Sequence, residues 1–193
     1  MGLNKTVAAA TDAITTAEAK THMRIDAADD DTYIAALIAA ATNYAELYTG
    51  RQFVTATYQL TRDCFVNGMF VARSPAASVT SIKYYDTDNV QQTLSTDVYE
   101  LDSTVSPGRV VLKYSEDFPS ITSRHNGIVI TYTAGYGDAD SVPEGIKAAL
   151  RFMVAHWYEN REPVVLGTIA TELPFGVKSL LDIYKVHERY LYQ

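Results

Sequence analysis

The chain has 193 residues, a formal net charge of −7 and one cysteine, Cys64. A lone cysteine excludes an internal disulfide and a four-cysteine zinc site, and an acidic balance without any basic run argues against a protein that grips nucleic acid by neutralising phosphates. Residues 1–16 are too polar for a secretory signal, and no window approaches the ~18 apolar residues of a membrane span, so the reading is a soluble chain with no membrane partner.

The first segment expected to be structured is 15–25. Thr15 followed by Glu18 has the spacing of a capping box, in which the hydroxyl takes a free helix amide and the carboxylate reaches back. Asp29, Asp30 and Asp31 then supply a second helix N-terminus. Ile34, Leu37, Ile38, Ala41, Tyr44, Ala45 and Tyr48 recur at three- and four-residue spacing until Gly50. From Gln52 the texture becomes alternating and β-branched, predicting strands over 53–61, 79–85, 98–101, 109–114 and 128–132. Turn formers at 86–89, 106–108 and 124–127 separate them, which implies a compact antiparallel β-unit. Helix returns after Gly135-Tyr136-Gly137. Ser141 with Glu144 has capping-box spacing, Pro143 suits an early helical position, and Ile146, Ala149, Leu150, Met153, Val154 and Trp157 form one apolar stripe. A shorter helix is expected over 177–184, followed by a charged and aromatic tail.

The fold class is therefore α+β. Residues 1–50 and 138–184 are expected to supply a helical core, 51–137 an inserted antiparallel β-unit, and 185–193 a tail.

Catalytic and metal signals are missing. His22, His125, His156 and His187 stand neither at helical ligand spacing from one another nor beside the cysteine, and His156 reads as a core histidine. The three consecutive aspartates lack the alternate ligands, central glycine and closing glutamate of a calcium loop. Gly135 and Gly137 lack the third spaced glycine of a dinucleotide fingerprint, and Asp138 and Asp140 would repel phosphates, so a sheet-to-helix turn is the better reading. No serine sits in a nucleophile-elbow frame, and the carboxylates are scattered. No cofactor and no enzymatic activity are expected. A small hydrolase or sugar-binding domain assembled from distant residues is the alternative from another class, and it requires a deep polar pocket with perturbed carboxylates.

Several stretches, in this order, resemble the head-to-tail connector (adaptor) proteins of tailed bacteriophages. They are 16–26 with the three aspartates and 33–41, then Tyr44 to Arg51, 75–86, Pro107-Gly108-Arg109, 130–137, and 142–147 running on to Arg161. The resemblance implies a ring of twelve copies in the virion neck, seated on the portal protein after assembly in the host cytoplasm. It further implies a stopper or tail-completion protein on the other face and passage of DNA through the aperture. A stopper or tail-completion protein of the same particle is the neighbouring alternative. Tyr184, Tyr190, Leu191 and Tyr192 are the candidate portal or partner contacts. Aromatic anchors beyond the last helix can order on binding a partner, and in the family the C-terminal segment is expected to reach into the portal.

Overall fold

A computed structural model describes residues 2–161 and 175–186. The chain divides into two compact units. One holds residues 11–54, 137–161 and 175–185, the other 2–10, 55–136 and 186.

The first unit is helical: α1 (Thr16–Met23), α2 (Asp31–Thr49), α3 (Glu144–Glu159) and α4 (Phe175–Asp182). α3 is the central element, touching each of the other three. Its apolar stripe explains this, since Ile146, Ala149, Leu150, Met153 and Val154 are all buried, together with Ile34, Ile38, Ala41 and Ala45 of α2 and Val177 and Leu181 of α4. The capping box of α1 forms as expected. Thr15 Oγ1 accepts from the Glu18 amide at 3.1 Å, and Glu18 Oε2 accepts from the Thr15 amide at 2.6 Å.

The second expected capping box does not form. Pro143 is the N-cap residue of α3 and no side chain caps it. Ser141 instead spends its hydroxyl on the preceding turn, where its amide and Oγ both donate to Asp138 Oδ1 at 3.0 and 2.7 Å. Glu144 is drawn away to Arg151. The charge-assisted bond to the Asp138 carboxylate orients the Ser141 hydroxyl toward the preceding turn and away from the helix amides it was expected to accept from. His156 is half-buried at the margin of the core, with Nδ1 3.4 Å from the Asn160 amide, because it lies one residue beyond the stripe's last fully buried turn.

The helical unit closes on itself through the segment after α2. Glu46 is buried, and its Oε1 accepts from Gln52 Nε2 at 2.6 Å and from the Phe53 amide at 3.0 Å. Val54 then bridges Gly137 in parallel. Gly137 has φ of +130°, and a Cβ there would meet Ser141 Oγ at 3.1 Å, so the turn read at 135–137 has a steric need for glycine.

The second unit is built of β1 (Gly2–Val7), β2 (Ala56–Arg62), β3 (Met69–Phe70), β4 (Ala76–Tyr85), β5 (Gln91–Thr93), β6 (Tyr99–Asp102), β7 (Arg109–Leu112) and β8 (Ile128–Ala134). These form a five-stranded sheet in the order β1-β2-β8-β4-β5 and a three-stranded sheet in the order β3-β7-β6. In the larger sheet Leu60 stands opposite Ile130, and Ile130 opposite Ile82, so one row of buried aliphatic side chains crosses the three inner strands. Met69, Val71, Tyr99 and Val110 join the same core. The turn between β4 and β5 is set by Asp86, whose Oδ1 accepts from the amides of Asp88 and Val90 at 3.0 and 2.9 Å, with Asn89 at φ +59°.

The five expected strands are present with shifted ends, and three more accompany them. β3 and β5, of two and three residues, are too short to show alternation. β1 corrects the expectation that structure begins at 15–25 and that residues 1–50 serve only the helical part. Gly2, Asn4 and Lys5 have poor strand propensity, and β1 exists because the backbone edge of β2 is there to pair with.

Replacing Glu46 by alanine removes the buried acceptor that Gln52 and Phe53 share. The expected loss is about 1–3 kcal/mol in chemical denaturation. A surface control such as Glu159→Ala changes stability by less than about 0.5 kcal/mol.

Candidate functional site

The surfaces available to partners follow from how the helix ends are held. At one end of the helical unit Tyr158 donates to Asp30 Oδ2 at 2.5 Å, Arg161 reaches the same oxygen at 3.2 Å, and the guanidinium lies 4.8 Å over the Tyr33 ring. Asp30, the N-cap residue of α2, thus makes no capping bond and instead fastens the end of α3 to the start of α2. Donation from the Tyr158 hydroxyl, and after it the charge of Arg161, hold the Asp30 carboxyl below its ordinary value of 3.8. Asp31 pairs with Lys20 Nζ at 2.7 Å. Asp30 and Asp31 are accordingly tied into side-chain contacts as well as lying at a helix N-terminus.

At the opposite end of α2, Tyr48 donates to Asp182 Oδ1 at 2.5 Å and Lys185 Nζ lies 4.7 Å over the Tyr48 ring. The bond to Asp182 pushes the Tyr48 hydroxyl up to about 12. Arg51 Nε donates to the Tyr184 carbonyl. The Tyr184 ring covers Gly145, where a Cβ would meet its Oη at 2.7 Å. Of the four candidate contacts, Tyr184 is therefore half-buried and committed to its own unit, while Tyr190, Leu191 and Tyr192 lie outside the described residues. Beside this clamp, Tyr44 stacks on Tyr48 with centroids 6.2 Å apart, and Leu47 is 61% exposed. The helical periodicity could have flagged Leu47, which falls off the apolar stripe.

The concavities along α1 are open. One of about 410 Å³ is lined by Glu18, Thr21, His22 and Arg151, and one of about 700 Å³ by Lys20, Arg24, Asp26 and Asp31. The carboxyls that the structure displaces, Glu18, Asp30, Asp63, Asp86, Asp102 and Asp138, all move downward because each accepts hydrogen bonds. That direction keeps a carboxylate ionised, the opposite of what a general acid requires. Among the described residues no group of three or more His, Cys, Asp or Glu side chains could hold a metal ion, and no helix is long and apolar enough to cross a membrane. Charge is unevenly divided. Residues 11–54 and 137–185 carry 14 of the 23 acidic residues and 8 of the 16 basic ones, a net −6, against −1 for the remainder.

Helix ends clamped to one another and an α+β architecture suit an assembly component. The family model described as "Head completion protein" matches residues 12–185.

The chain belongs to the head completion protein family.

The phage-connector resemblance read from the sequence is thereby borne out. Among solved structures, the chain is similar to one from the neck of an empty GTA particle computed with C6 symmetry, with a TM-score of 0.78 and 23% identity. It is also similar to a chain in the virion of a native gene transfer agent particle, with a TM-score of 0.77 and 23% identity. A third, from the neck of a native GTA particle computed with C12 symmetry, gives 0.69 and 24%. Each comparison covers 97% of this chain and 96% of the other. A search of curated proteins found no significant match. The likeness shows a shared α+β fold.

Replacing Tyr158 by phenylalanine removes the largest contribution holding Asp30 ionised. A carboxyl with a depressed folded value stabilises the fold above its unfolded value and loses that contribution as the pH falls through the folded one. The melting temperature of Tyr158→Phe is therefore expected below that of the parent at neutral pH. The gap should shrink as the pH drops below 3.8, and thermal melts across that range read it directly.

Proposed function

We propose that this head completion protein is a non-enzymatic head-to-tail connector, a ring of twelve copies seated on the portal protein of a phage-like virion. The family match over nearly the whole chain is the observation that carries this reading. The fold likeness to chains in particle necks computed with C6 and C12 symmetry supports a cyclic arrangement. A closed ring needs two different surfaces on each copy, one to give and one to receive. The residue groups 1–50 with 138–184, and 51–137, are read as two distinct surfaces, one for neighbours in the ring and one for the portal or tail. The acidic balance of the chain suits an aperture for DNA, because a negative wall repels phosphates and lets a duplex slide.

The same reading gives the tail, 185–193, the role of portal anchor. Arg51 holds the Tyr184 carbonyl, Gly145 lies against the Tyr184 ring and Tyr48 holds Asp182, so the segment that leads to Tyr190, Leu191 and Tyr192 leaves from a fixed point. Order gained on binding costs entropy, and large aromatic and aliphatic anchors buried in a partner offset it.

In the absence of this protein, DNA-filled heads with free portals and separate tails should accumulate. Adding the purified chain to such heads should restore tail joining, counted as infectious or transducing particles. A chain ending at Tyr184 should keep its fold by circular dichroism and lose portal binding by at least about tenfold, roughly 1.4 kcal/mol. Tail joining unaffected by loss of the protein would overturn the connector reading. Unchanged portal binding by the shortened chain would overturn the role of the tail alone.

A further inference from the structure

The two end strands of the five-stranded sheet differ from the three inner ones. β2 and β8 alternate buried and half-buried residues, whereas every residue of β1 and of β5 is exposed. An edge strand points every second N–H and C=O away from its sheet, and natural proteins usually shield such a row. β1 has no proline, and its pairing with β2 is regular from Gly2 to Lys5 before the register shifts. Its one charged residue does not guard the edge, because Lys5 Nζ lies 5.6 Å over the Tyr58 ring. Leu3 stands opposite the fully buried Leu60, so it continues the apolar row of the core past the sheet's last covered strand, yet it is 39% exposed. Val7 at the far end of β1 is 60% exposed, and Val90, which leads into β5, is 53% exposed.

We infer that β1 receives β5 of a second copy of this chain, so that the five-stranded sheets of neighbouring copies join edge to edge around the ring. The inference rests on the ring reading and names the contact within it. A cyclic ring requires two unlike patches that fit each other, and the two sheet edges that no strand pairs among the described residues meet that need through backbone donors and acceptors alone. Side chains agree with the match. Leu3 and Val7 at one edge and Val90 at the other are exposed and supply apolar contact.

Topology also fixes the sense of the joint. All four pairings from β1 to β5 are antiparallel, so the two end strands run in the same direction. A rotation that carries one copy to the next therefore makes a parallel β5–β1 joint. Pairing β1 with β1 would be antiparallel, would obey a two-fold axis, and would stop at a dimer.

The test places a benzophenone amino acid in Asn4→p-benzoylphenylalanine and assembles isotopically light and heavy copies on purified portal rings before irradiation. Crosslinks from position 4 to the peptide carrying residues 91–93, found between light and heavy copies, are the expected result. Rings that form normally but give crosslinks from position 4 only to other segments, or only to position 4 of another copy, overturn the inference and leave the ring intact. Portal rings that bind none of the chain, under conditions where they bind their other partners, overturn the ring reading and this contact with it. Deleting residues 2–7 should lower ring occupancy at least about tenfold, with circular dichroism and the melting transition kept, since none of the six side chains is buried. Undiminished occupancy would equally overturn the inference.

Discussion

The short parallel bridge between Val54 and Gly137 is the constraint on which the rest depends. It brings together the point where the chain leaves the helical unit and the point where it returns, so that everything from 55 to 136 is an excursion with adjacent ends. Three features hold the bridge. Glu46 takes the donors of Gln52 and Phe53 inside the core, Gly137 adopts a backbone angle closed to other residues without strain, and Ser141 is turned back onto Asp138. Loop closure of this kind grows only slowly in cost with the length of the insert, which is why a large β-unit can be carried there. The helical core can then form between segments far apart in sequence, with α3 packed on both α1 and α2.

The two units divide the labour of the fold. The helical unit spends its polar groups on locking helix ends together, as at Asp30 with Tyr158 and Arg161, and at Tyr48 with Asp182. Rigid ends are useful in a head completion protein, because an error of angle in one copy is repeated in every copy of a closed assembly. The β-unit keeps its apolar side chains on one face of the inner strands and, among the described residues, leaves the outer edges of β1 and β5 unpaired. A protein that had only to stay monomeric would be expected to cover or charge such an edge.

The helices were legible in the sequence where period and caps agreed. The stripe of α2 and α3 and the Thr15–Glu18 box needed nothing beyond local spacing. Spacing failed at Ser141 and Glu144, where stronger partners, Asp138 and Arg151, lay within reach and took both side chains. It failed at β1 as well, because a strand recruited by another strand's edge carries no pattern of its own. The family was legible from ordered short motifs even though each was weak. The packing of the Tyr184 ring on Gly145, a residue far from it in sequence, carried no local signal. Long-range choices of this sort are decided by which acceptor or cavity happens to be near, and no local signal records them.

The central claim is that this chain caps the portal as a ring. The most direct test is to mix the purified protein with the portal oligomer and examine the product by sedimentation and negative-stain electron microscopy. A stoichiometric complex, with a second ring of the same rotational order seated on the portal, is the predicted result. Portal rings that remain bare at saturating protein, while still able to bind their other neck partners, would contradict the account.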